Sequence, residues 1–176
     1  IDGVVSELIR VSHLVFFNVQ IVTGNKPALF RLIGKYSEKI KELIVWDKCK
    51  AQPAIGGGVL NSGFELILVF SDDAITRAFK EPKFERGKLE NIWRIPAASS
   101  DDKTHGAAFP RQLVANILIN FSEPGQRCFD PFLGTGTTAI ESHYCELDFV
   151  GCELDKDYYD SAIKRVELLT SQEVLF

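Results

Sequence analysis

Two kinds of apolar pattern alternate along this chain, and the alternation limits its fold more than any other feature. Apolar runs over 14–19 and 43–46 read as buried strands, and 64–70, 127–132 and 149–152 read as further strands. Between them, apolar residues recur at three- and four-residue spacing over 1–11, 28–40, 109–121, 137–145 and 157–169, which predicts amphipathic helices. Pro27 suits the first turn of the second helix. Residues 51–63 are rich in Gly, Pro and Asn and predict a long loop. Strands alternating with helices predict an α/β protein with a mostly parallel sheet and helices on both faces. Ligands of such sheets bind outside the carboxyl ends of the strands.

Composition removes several other classes. With 176 residues, 45% of them hydrophobic and 25% charged, the chain is one domain, or one domain with a small insert, and can bury a core. No apolar run approaches the roughly 18 residues of a bilayer span, and no secretion signal opens the sequence. Cys49, Cys128, Cys145 and Cys152 form no C-x-x-C pair, which predicts free thiols in a reducing cytoplasm and neither a disulfide frame nor a zinc site. His13, His105 and His143 are far apart and offer no metal-ligand spacing, so no metal is expected. The net charge of -4 is uneven: residues 1–111 are weakly basic and 112–176 acidic. The sequence contains no Met and opens on Ile1 within a helical pattern, so it is expected to be a piece of a longer protein.

The richest segment follows the strand at 127–132. Phe129-Asp130-Pro131-Phe132-Leu133-Gly134-Thr135-Gly136-Thr137-Thr138-Ala139 joins strand to helix, and residues 134–139 match the G-x-G-x-x-A dinucleotide pattern. Glu153 ends the next strand, where a carboxylate can accept hydrogen bonds from ribose hydroxyls. By itself each feature fits a tight turn beside a solvated acid; in the order strand, glycine loop, helix, strand, acid they predict a ligand site. Asp130 selects the ligand. A carboxylate at the mouth of the loop repels a pyrophosphate and suits a cation such as S-adenosylmethionine, which carries an ammonium and a sulfonium. Asp155 and Asp157 are read as helix-capping acids.

Asp130 to Thr138, D-P-F-L-G-T-G-T-T, resembles the cofactor motif of the amino-methylating DNA methyltransferases that act on adenine N6 or cytosine N4. The stretch 103–111, K-T-H-G-A-A-F-P-R, is similar to the H-P-x-x-F-P motif that precedes it in the permuted beta group, with Gly106 in place of the first proline. The segments 44–48 and 64–70 are similar to later sheet strands of that family, so the resemblance spans nearly the whole chain. It implies a Rossmann-like S-adenosylmethionine-dependent methyltransferase sheet. Residues 1–71 and 105–176 would form the catalytic and cofactor domain, and 72–104 a short target-recognition insert. Asp130, Phe132, Gly134, Thr135 and Gly136 would line the methionine and ribose. Glu153 would hold the ribose hydroxyls, Phe109 and Pro110 would cap the pocket, and His105 would stand at its entrance. A solvated loop histidine and ordinary helix-start packing are the plain alternatives for these last three.

The family's catalytic signature, D-P-P-Y or S-P-P-W, has no counterpart, because the sequence contains no Pro-Pro pair. That signature accepts hydrogen bonds from the target amine, aims its lone pair at the methyl group, and stacks an aromatic ring on the flipped base. In the permuted group it precedes the helix at 1–11, on a strand between those at 127–132 and 14–19. A sheet built from residues 1–176 alone is therefore expected to lack N-terminal strands and to leave unpaired edges.

In the same group the insert reads the DNA sequence. Arg77, Lys80, Lys83, Arg86, Lys88 and Arg94, interleaved with Phe79, Phe84 and Trp93, would meet phosphates, although Glu81, Glu85 and Glu90 nearly balance the charge as in an ordinary solvated loop. The resulting expectation is a cytoplasmic, bacterial or phage-encoded enzyme methylating an exocyclic amine of double-stranded DNA. It would act as a restriction-modification partner or alone, with a homodimer as the plausible assembly. Adenine N6 is favoured over cytosine N4. Competing readings are a catalytically incomplete fragment that holds cofactor or DNA, and a dinucleotide oxidoreductase supported only by G-x-G-x-x-A. RNA as substrate stays open at this point.

Overall fold

The computed structural model describes residues 2–52, 57–80, 82–97 and 109–171. They form two compact units, one of Ile1–Glu81 with Arg86–Pro96, the other of Pro82–Glu85 with Ala97–Phe176. The first unit contains α1 (Asp2–Val11), β1 (Leu14–Val19), α2 (Lys26–Lys35), β2 (Ile40–Gln52), β3 (Ser62–Ser71) and β4 (Ile92–Arg94). The second contains α3 (Arg111–Phe121), β5 (Arg127–Asp130), α4 (Thr137–Tyr144), β6 (Asp148–Gly151) and α5 (Lys156–Thr170). Among the described residues, no helix is long and apolar enough to cross a membrane.

The sheet of the first unit runs β1-β3-β2-β4 and is mixed, which corrects the expectation of a mostly parallel sheet. β3 lies antiparallel to both β1 and β2, whereas β4 is parallel to β2. The link between β2 and β3 explains this. β2 ends at Gln52 and β3 begins at Ser62, and a link that short falls below the dozen or so residues a parallel crossover needs, so it joins antiparallel strands. The carboxyl half of β3 is buried on both faces, as the unbroken apolar run at 66–70 predicts. Leu68 and Phe70 pack with Val15 under Val5 of α1 and Leu29 and Leu32 of α2, while Ile67 and Val69 are buried on the opposite face.

β2 extends well beyond the apolar run at 43–46 because two of its lysines are buried in ion pairs. Lys41 donates to the Asp73 carboxylate at 2.8 Å and to the carbonyls of Asp73 and Thr76 at 3.0 and 3.2 Å. Lys48 reaches Glu65 at 2.6 Å. A hydropathy pattern reads both as exposed positions; only their partners, more than a dozen residues away, make them strand interior. The helix expected over 28–40 instead ends at Lys35, and Ser37–Lys39 form a short 3-10 turn before β2. Inside the stretch 72–104, read as irregular, β4 pairs Trp93 with Trp46 and buries both rings. Three residues flanked by Pro96 are too few for a periodic signal.

In the second unit, β5 and β6 form a parallel two-stranded sheet, with Cys128 opposite Phe149 and Asp130 opposite Gly151. Val114 and Leu118 of α3 pack with Leu147 and Cys128, and Leu133 and Ala139 pack with Ala162 and Phe149. Phe84 meets Phe121 edge-on at 5.4 Å, tying residues 82–85 to α3. The four cysteines are free thiols, and burial pushes the Cys128 thiol above its ordinary value.

α5 begins where the sequence places a capping acid. Asp155 accepts from the N–H groups of Asp157 at 2.9 Å and Tyr158 at 3.0 Å, and Asp157 sits in the first turn. Asp155→Ala is expected to lower unfolding free energy by about 1 kcal/mol, measured by denaturant titration.

Candidate functional site

β5 delivers Asp130 to the carboxyl end of its sheet, and residues 131–136 turn the chain into α4. The Asp130 carboxylate holds both ends of this turn. Its Oδ1 accepts from the Phe132 N–H at 2.9 Å and its Oδ2 from the Thr138 hydroxyl at 2.6 Å. The strand pairing continues past β6: Cys152 N–H donates to the Asp130 carbonyl at 3.0 Å and Leu133 N–H to the Cys152 carbonyl at 2.8 Å. This pairing brings Glu153 beside the loop. Its Oε2 accepts from Gly134 N–H at 2.8 Å and its Oε1 from Asp155 N–H at 3.0 Å.

The turn needs glycine at two places. Gly134 has φ +53° and Gly136 φ +79°. At Gly136 there is also no room: a Cβ there would meet Val166 Cγ2 at 3.1 Å and Ala162 Cβ at 3.3 Å, because α5 packs directly against it. From the same helix, Arg165 Nη1 donates to the Thr135 carbonyl at 2.8 Å and to the hydroxyls of Thr135 and Thr137 at 3.1 and 3.0 Å.

The loop is thus held by two carboxylates and one guanidinium. Phe132, 63% exposed, and the fully exposed Leu154 add apolar surface beside it. Such a frame can accept hydrogen bonds from a ligand, attract positive charge and cover an apolar ring. The N–H groups of Asp155 and then Gly134 hold the Glu153 carboxyl below its ordinary value of 4.5. A carboxyl depressed by folding gives stability that is full above its unfolded value and is lost as pH falls through the folded one. The difference in Tm between the parent and Glu153→Gln is therefore expected to be constant from neutral pH down to about 5 and to shrink below 4.5.

Asp130, Phe132, Gly134, Thr135, Gly136 and Glu153 all lie on this loop or directly against it. Pro110 is the N-cap of α3, with Phe109 just before it and partly exposed. Arg111 pairs with the buried Glu141, and its guanidinium lies 5.1 Å from the Tyr144 ring centre, so the start of α3 is fastened to α4. His105 lies outside the described residues.

The six basic residues of the insert are divided between the units, with Lys83 in the second and the others in the first. Arg77 pairs with Glu42 at 3.2 Å, Lys80 with Asp73 at 3.4 Å, Arg94 with Glu90 at 3.7 Å, and Lys83 with Glu123. Arg86 and Lys88 have no ion pair among the described residues. Lys41, then Ser71, hold the Asp73 carboxyl well below the carboxylate range. Pairs whose cation is exposed to this degree are worth about 0–1 kcal/mol.

Sequence reading assigned no role to Thr138 or Arg165. Thr138 stands inside the quoted motif, and its hydroxyl eight residues after Asp130 is the signal that was available. Arg165 shares one helical face with Ala162 and Val166, but nothing in that spacing says which loop the face meets.

The model of a family described as DNA methylase matches residues 5–164. Orphan methyltransferase M.BamHII of Bacillus amyloliquefaciens is 38% identical over 89 residues, covering 47% of this chain and 34% of that protein. The chain spans less than half the length of the curated relatives it matches. Among solved structures, the M1.HpyAVI–SAM complex superposes with a TM-score of 0.62 at 21% identity, over 87% of this chain and 72% of that one. The cytosine-N4-specific PvuII DNA methyltransferase superposes with a TM-score of 0.66 at 16% identity, over 90% and 68%. Both share the fold of this chain.

Proposed function

The chain belongs to the DNA methylase family of N6 and N4 methyltransferases, and from that premise we propose that it holds S-adenosylmethionine at the β5–α4 loop and serves methyl transfer to an exocyclic amine of double-stranded DNA. One observation carries the reading: carboxylates at Asp130 and Glu153 bracket the glycine loop. A pyrophosphate would bring negative charge to both. S-adenosylmethionine brings a sulfonium, an ammonium and ribose hydroxyls that can donate to the open lone pairs of Glu153. Leu154 offers apolar surface for the adenine ring, Phe132 lines the methionine and ribose, and Phe109 and Pro110 cap the methionine end. The M1.HpyAVI neighbour, solved as its SAM complex, supports the same cofactor.

When bound, the cofactor supplies a methyl group whose bond to sulfur breaks as a bond to the amine nitrogen forms, the amine losing a proton. Residues 1–176 contain no Pro-Pro pair to orient that amine. We assign the orienting signature to residues outside them. β1 pairs only with β3 and β5 only with β6 among the described residues, so each offers an open edge for a further strand. Residues 72–104 are assigned to DNA contact, and adenine N6 is the proposed target.

Thermal unfolding with S-adenosylmethionine or NAD tests the cofactor. At a hundredfold excess over Kd, S-adenosylmethionine is expected to raise Tm by about 5–10 °C and NAD to leave it unchanged. Stabilisation by NAD alone, or by neither, would sink the reading. Incubation with labelled cofactor and unmethylated DNA, followed by nucleoside analysis, distinguishes N6-methyladenine from N4-methylcytosine. Binding without transfer would assign these residues the holding of the cofactor only.

A further inference from the structure

We propose that Arg165 is a positioning residue for the cofactor loop: from α5 it fixes the Thr135 peptide and the two threonine hydroxyls, so that loop geometry, and with it cofactor affinity, depends on one guanidinium behind the site. The proposal rests on the reading of the β5–α4 loop as the S-adenosylmethionine site. Arg165 Nη1 makes all three bonds, to the Thr135 carbonyl, the Thr135 hydroxyl and the Thr137 hydroxyl, at 2.8–3.1 Å. These acceptors lie on either side of Gly136, whose left-handed backbone has no side chain to restrict it. One turn earlier and one residue later on α5, Ala162 and Val166 press on Gly136 itself. The face formed by residues 162, 165 and 166 is therefore a mould for the loop, with contact at its centre and a cationic donor to both sides.

The carboxylates do not duplicate this role. Asp130 holds Phe132 and Thr138, and Glu153 holds Gly134. Thr135 and Thr137, both buried, are the loop residues that Arg165 holds. Removing the guanidinium frees the segment between the two carboxylate anchors, where the backbone must stay still for a ligand to rest against it. Because a single nitrogen makes every bond, the planar fork of arginine is not required, and a lysine ammonium with three donors can reproduce them.

The test measures S-adenosylmethionine affinity by calorimetry for the full chain, Arg165→Ala, Arg165→Lys and Val114→Ala, with the Tm of each unliganded protein. Val114 belongs to the core cluster of α3 with Leu118 and Leu147, distinct from the cluster of Leu133, Ala139 and Ala162 behind the loop, so it serves as a control for lost stability. Arg165→Ala is expected to raise Kd roughly tenfold, and Arg165→Lys to stay within about threefold of the parent. Val114→Ala is expected to lower Tm and leave Kd unchanged. The inference is overturned if Arg165→Ala binds like the parent, or if Val114→Ala weakens binding as much. Failure of the parent itself to bind S-adenosylmethionine overturns the underlying reading instead, and this inference with it.

Discussion

Asp130→Ala is expected to weaken S-adenosylmethionine binding by about a hundredfold, measured by calorimetry or by the ligand-induced shift in Tm. The carboxylate accepts one hydrogen bond from the Phe132 N–H and one from the Thr138 hydroxyl. Hydrogen bonds to a charged acceptor are worth about 1.5–3 kcal/mol each, and water entering the space left by alanine restores part of that. A net loss near 2.7 kcal/mol is a hundredfold in Kd. Asp130→Asn separates charge from geometry. Its amide oxygen can still accept from Phe132, and the Thr138 hydroxyl can turn to accept from the amide nitrogen. The turn survives while the negative charge that favours a cationic ligand is gone. About a tenfold loss is expected, and binding equal to the parent would show that the charge of Asp130 contributes nothing to ligand choice.

Gly136→Ala is expected to destabilise the protein by about 2–4 kcal/mol, read from denaturant unfolding. Left-handed backbone costs an L side chain about 1–2 kcal/mol. Forcing a methyl into packed space costs about 1–3 kcal/mol more. Both apply here, since φ is +79° and the new Cβ would stand 3.1 Å from Val166 Cγ2 and 3.4 Å from the Ala162 carbonyl. Gly134→Ala supplies the contrast. Its φ is +53°, but the nearest atom is the Phe132 carbonyl at 3.8 Å, so only the backbone cost of about 1 kcal/mol is expected. Equal losses at the two positions would mean that α5 does not press on the loop.

The sequence alone determined the elements that depend on neighbours along the chain. Strand runs, helix periods, the glycine turn between β5 and α4 and the Asp155 cap are fixed by residues a few positions apart, and local spacing reports them. The resemblance carried by residues 130–138 is of the same kind, because a loop that grips a ligand with its backbone needs its residues consecutive.

Tertiary structure decided whatever depends on distant partners. β3 enters between β1 and β2 in antiparallel sense because the hairpin link permits no other direction. β4 exists because Trp93 finds Trp46. Lys41 and Lys48 belong to the interior of β2 because Asp73 and Glu65 meet their charges. Arg165 leaves no mark on the pattern of α5, since its partners at Thr135 and Thr137 lie about thirty residues earlier. Hydropathy along a chain registers which residues avoid water; it does not register which charge another residue neutralises, and that pairing is settled only when the chain has folded.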